Sequence, residues 1–226
     1  VIRRHPILSI FTALYCVGFL VWALSRGNSE FIFYFAVMLV MIGLVLWADV
    51  RARFSGMVLW MLSLWGLAHM AGGNVPVPVE GIGFGTSAKP GDTQTVLYNL
   101  WLLPGQTLKY DQLTHAYGFF AATTACWRAV RRSMASNVPL TMGVFVMLAC
   151  AGMGLGAVNE IVEYIATLRG PTNVGGYANN AQDLIFNGAG AVCAPASAWM
   201  GVRAERGANE RMITIAGLCA TIIASI

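Results

Sequence analysis

Asp111 and His115 lie four residues apart and Glu160 and Glu163 three apart, so on a helix each pair projects from one face. His69 and Asp183 add one more imidazole and one more carboxylate. Oxygen and imidazole ligands without a thiolate suit zinc, iron or manganese, and the same groups carry protons in acid–base chemistry. Four carboxylates with two histidines is also the inventory of di-iron and di-manganese carboxylate bundles, in which facing helices supply the ligands. Here Asp-x-x-x-His and Glu-x-x-Glu stand in place of the Glu-x-x-His pairs of that class. The expected divalent-metal site therefore comprises His69, Asp111, His115, Glu160, Glu163 and Asp183, with Glu160, Glu163 and Asp111 as its catalytic acid–base groups.

The elements that must position these groups are membrane helices. The chain has 226 residues, of which 57% are hydrophobic and 11% charged. With a mean hydropathy of +0.65, it lies well outside the soluble range. Apolar runs predict spans over 6–25, 31–50, 55–71, 111–130, 137–165, 182–202 and 211–226. The expected fold is thus an all-α polytopic bundle of about seven spans, or six if the last is not a full span, forming one integral membrane domain over 1–226. The first run follows Arg3 and Arg4 and ends without a small-x-small cleavage pattern, so it reads as a retained anchor. Val1 stands where an initiator Met is expected, which points to a natural start further upstream.

Charge sets the orientation. Arg3, Arg4, Arg51, Arg53, Arg128, Arg131, Arg132, Arg203, Arg206 and Arg211 fall on one side, against Arg26, Lys89, Lys109 and Arg169 on the other. Under the positive-inside rule the N-terminus is cytoplasmic and the candidate site lies near the external ends of its helices. The net charge of +4 is accounted for by these arginines facing lipid headgroups, and no basic-aromatic pattern points to nucleic acid. Two external loops follow, at about 72–109 and 169–180. The first opens with GGNVPVPVEGIGFG, whose prolines and glycines oppose helix, and Pro104-Gly105 reads as a turn between two short extended pieces.

Other readings of the same residues stay open. Asp111 and Asp183 each begin a predicted helix, where a carboxylate caps free N–H groups. The histidines and carboxylates could also form a hydrogen-bonded cluster that pins helices together, or a metal-free proton site. Glu160 and Glu163 resist the bland reading most, because two carboxylates one turn apart repel unless a cation or a shared proton lies between them. Gly152, Gly154 and Gly156, facing Gly188, Gly190, Ala194 and Ala196, predict close packing of the fifth and sixth spans, with Asn187 aimed at that interface. The five cysteines form no C-x-x-C pair and read as packing residues.

LAHMAGG, KYDQLTHAYGFF, GAVNEIVEY and YANNAQDLIFNGAGAV, in that order, resemble an uncharacterised bacterial inner-membrane family typified by the protein YjdF. The resemblance covers roughly residues 65–192. It implies that the six site residues act as one unit, but brings no activity with it. Asn179 departs from the family pattern, which places an Asp there. Two functions fit the sequence. One is a metal or acid–base site at the external leaflet of the inner membrane, acting on a lipid or other apolar substrate. The other is a non-catalytic accessory subunit of a larger membrane complex, with lipids and other subunits as partners.

Overall fold

The computed structural model describes residues 1–79, 93–103, 108–134, 139–169, 172–173 and 176–206. Six long helices run through them: α1 (Pro6–Ser25), α2 (Ser29–Ala52), α3 (Gly56–Asn74), α4 (Tyr110–Ser133), α5 (Met142–Thr167) and α6 (Tyr177–Arg206). The seventh predicted span, 211–226, lies outside the described residues.

Local chemistry sets the helix ends. Pro6 starts α1, where its missing N–H costs nothing. Gly27 then turns the chain with φ +64°, and Asn28 caps α2 by accepting from the Phe31 N–H at 3.2 Å. Ser55 and Thr141 cap α3 and α5 in the same way. At the start of α4 the Lys109 N–H donates to Gln112 Oε1 at 2.8 Å.

Helices α1, α2 and α5 are long and apolar enough to cross a membrane. Their outward residues, among them Ile10, Leu14, Val17, Val40, Leu44, Met147 and Ile161, are exposed. Such surface is unfavourable in water by about 25 cal/mol per Å² and is at home against lipid tails. The more polar α4 stands inside, packed most extensively on α6 and also on α2, α3 and α5. α1 packs against α2 and α3 at the periphery. The polar helix is therefore the central pillar, and the apolar helices surround it.

Three sequence expectations change. Gly72 and Gly73 were expected in a loop, yet α3 runs on through Asn74. A side chain on Gly72 would strike the Tyr98 ring and one on Gly73 the Phe31 ring, so both glycines act as clearance inside a helix. α6 begins at Tyr177, five residues before its predicted start, because the polar stretch Asn179–Gln182 faces protein partners. Asp183 therefore lies beyond the first turn and is not a cap. In the loop after α3, β1 (Pro76–Pro78) pairs antiparallel with β2 (Gln94–Val96), and a 3-10 turn (Leu97–Asn99) follows. The pieces flanking Pro104-Gly105 meet at one bridge, Trp101 with Lys109.

Candidate metal centre

Three helices converge because small residues let them. A Cβ on Gly156 of α5 would sit 2.8 Å from the Asn187 Cβ of α6, and one on Gly190 of α6 would strike the Ala116 carbonyl of α4. Gly152 faces Thr123 and Ala191 just as closely. The α5–α6 packing expected from the glycines is therefore present at Gly152 and Gly156, whereas Gly154 faces open space.

His115 of α4 sits at the centre of this contact and is buried. Its Nδ1 is 2.8 Å from Asn187 Oδ1, and Asn187 Nδ2 donates to Glu160 Oε1 at 2.9 Å. A carboxylate only accepts, which turns the amide so that its oxygen faces the imidazole. Nδ1 then donates to Asn187, which fixes the ring so that Nε2 faces carboxylates. Nε2 stands 3.4 Å from Asp111 Oδ1 and 3.8 Å from Glu163 Oε1. Two triads of potential ligand atoms result, Asp111–His115–Asp183 and His115–Glu160–Glu163, each with all its atoms within 4.8 Å of one another.

The surrounding groups satisfy some of these oxygens and leave others open. Asn159 donates to Glu163 Oε1 at 2.8 Å. Asn179 donates to Asp183 Oδ2 at 2.5 Å and approaches Asp111 Oδ2 at 3.4 Å, and its own carbonyl accepts from the buried Lys109 ammonium. Lys109 itself is 3.9 Å from Asp111. Yet Glu160 Oε2 and Asp183 Oδ1, both fully enclosed, have no hydrogen-bond partner among the described residues. Buried oxygens are nearly always paired, and leaving an anionic one unpaired costs several kcal/mol. The nitrogen and oxygen donor set and these two orphaned atoms fit a divalent cation.

Of the six residues singled out by sequence, five thus come together around His115. His69 of α3 falls in neither triad. It lines a cavity of about 20 Å³ whose other walls include Glu30, Tyr34, Tyr98, Asp111 and Glu163. Tyr98 OH donates to the His69 carbonyl at 2.9 Å and lies 2.5 Å from its Nδ1. Burial, reinforced by Asp111, pushes the Tyr98 phenol well above its ordinary range, so it keeps its one proton. The Tyr98 hydroxyl thus holds the His69 ring in place beside the cavity.

Sequence reasoning missed Glu30, Lys109 and Tyr98. Glu30, in the first turn of α2, reads as an ordinary partner of the helix dipole, but it is buried and accepts from Asn173 N–H and Nδ2 at 2.9 and 2.8 Å. Lys109 was counted only as a topological charge. For Tyr98 no spacing signal exists, since it arrives from the loop.

Several helices apolar enough to cross a bilayer, wrapped around a polar one that carries buried ionisable groups, define a multi-pass membrane protein. The chain belongs to the DUF2238 family, described as a predicted membrane protein family, whose model matches residues 7–206. No curated protein and no solved structure matches it.

Proposed function

We propose that this is a metal-dependent protein of the bacterial inner membrane, of the YjdF type, with its N-terminus cytoplasmic. Its centre is built on His115 near the external leaflet and acts on a lipid or another apolar molecule presented from the bilayer. One observation carries the metal reading: an imidazole oriented by Asn187 turns its Nε2 towards the carboxylates of Asp111 and Glu163, beside two buried carboxylate oxygens that no described residue satisfies. A hydrogen-bonded partner on the far nitrogen is the usual support of a metal-binding histidine. A purely structural cluster would close on itself.

The chain's own groups have distinct roles in this reading. Asp111, His115, Glu163 and Asp183 hold the ion. Asn187 orients His115, and Asn179 with Lys109 offsets part of the negative charge. When bound, a divalent ion supplies a Lewis acid that acidifies a coordinated water. Glu160, with Oε2 open, is the group placed to accept a proton. A recess of about 250 Å³, lined by Arg26, Asn28, Asn74, Thr95 and Asn173 among others, adjoins the inner cavity through Asn173, which lines both. Arg26 stacks over Trp22 at 5.6 Å, and a guanidinium beside side-chain amides suits an anionic headgroup.

Metal analysis of the detergent-purified protein beside a Glu160→Ala, Glu163→Ala double variant tests the proposal. Metal in the parent that is lost from a variant with an unchanged size-exclusion profile supports it and names the ion. No metal in either moves the reading to an accessory subunit of a membrane complex.

A further inference from the structure

We infer that the centre holds two divalent cations: one at His115, and a second in the small cavity between His69 and Glu30, with Asp111 and Glu163 shared between them. The inference rests on the metal reading above and extends it to a ligand set on α2 and α3.

Asp111 and Glu163 each belong to a His115 triad and each also line the cavity, so they face both positions. The cavity wall also carries His69 and Glu30, whose Oε2 takes both Asn173 bonds. Glu30 and Glu163 are each about nine-tenths buried, at 9% exposure. The Tyr34 hydroxyl, also on the cavity wall, is enclosed and has no hydrogen-bond partner among the described residues. Three carboxylates, Glu30, Asp111 and Glu163, thus share the wall of one small cavity with an imidazole and this hydroxyl. At about 20 Å³, on the measure in which a water needs about 10–15 Å³, the cavity admits an ion or a water and nothing larger.

Charge points the same way. Glu30, Asp111, Glu160, Glu163 and Asp183 supply five carboxylates, and Lys109 is the one cation of the described residues hydrogen-bonded into the group. With every carboxylate ionised and both histidines neutral, the formal charge of the group is the five carboxylates less the one ammonium, an excess of four negative charges. One divalent ion halves that excess and two abolish it. Buried charge is tolerated only when paired, so the second ion removes the larger remaining penalty. Carboxylates bridging ions roughly 3.5–4 Å apart are the usual construction of two-metal sites.

The test is Mn²⁺ titration of the metal-stripped full chain in detergent, read by bound stoichiometry and electron paramagnetic resonance, for the parent, Glu30→Gln and His69→Ala. Two ions per chain with a spin-coupled signal are expected in the parent. One ion with an isolated six-line signal is expected in each variant. Glu30→Gln keeps side-chain shape and an acceptor for Asn173, so it reports on charge even if His69→Ala fails to fold. One ion in parent and variants alike overturns this inference and leaves the His115 centre standing. Two ions retained in the folded variants overturns the assigned position. No ion in the parent overturns the His115 centre along with it.

Discussion

Asp49 and Asp183 are both buried aspartates on long helices, and they are treated in opposite ways. Asp49, 3% exposed, has each oxygen closed by the chain: Oδ1 accepts from the Phe54 N–H at 2.8 Å, and Oδ2 takes the Arg4 guanidinium. The left-handed turn at Arg53, φ +46°, returns the chain to bring that N–H back. Asp183, 0% exposed, receives one amide bond from Asn179, reaches the nearest ammonium only through that amide, and has Oδ1 open. Burial of an acid is common to both, so burial does not distinguish structure from function. The unsatisfied oxygen does.

Replacing Asp183 by Asn breaks this comparison most sharply. Loss of a ligand is expected to weaken metal binding by about 100-fold or more, since second-layer changes alone cost 10–100-fold. The metal-free protein should be no less stable than the parent, because an unpaired buried charge has been removed. Metal titration with thermal unfolding of the stripped protein reads both, and a collapse of metal-free stability would make Asp183 a structural residue like Asp49. Arg4→Ala is the opposite case. It leaves Asp49 without its guanidinium and should destabilise the fold by about 2–3 kcal/mol, discounted for the half-exposed arginine, with metal content unchanged. Denaturation in detergent beside metal analysis checks it. Asn187→Ala should have the smallest effect, a drop of about 10-fold in metal affinity as His115 loses its orienting hydrogen bond, measurable by competition with a chelator of known affinity.

The sequence made α1 and α2 legible almost to the residue, because their apolar runs are continuous and end in Gly27, Asn28 and Arg53. It was least reliable where polarity was mistaken for solvent. Asn179 and Asn180 looked like loop and are helix, since the Asn179 amide bonds to Lys109, Asp111 and Asp183 inside the protein. The pairs Asp111–His115 and Glu160–Glu163 could be found because helical spacing alone puts them on one face. That His69 stands across a cavity, opposite Glu30, could not, because it depends on Gly72 and Gly73 admitting the Tyr98 and Phe31 rings beside α3. Clearance between elements leaves no periodic mark.

The composition of α4 also bears on how the protein is made. Among the described helices only α1, α2 and α5 are apolar enough to enter a bilayer unaided. α4, with Asp111, Gln112, Thr114, His115, Thr123 and Thr124 along its length, would be poorly retained by lipid when it leaves the insertion machinery alone. Its partners α5 and α6 are synthesised after it. α4 is therefore expected to wait beside the translocon until they emerge and to enter the membrane with them. That makes the helix at the heart of the site the slow step in assembly and the point where quality-control proteases would see an unfinished chain.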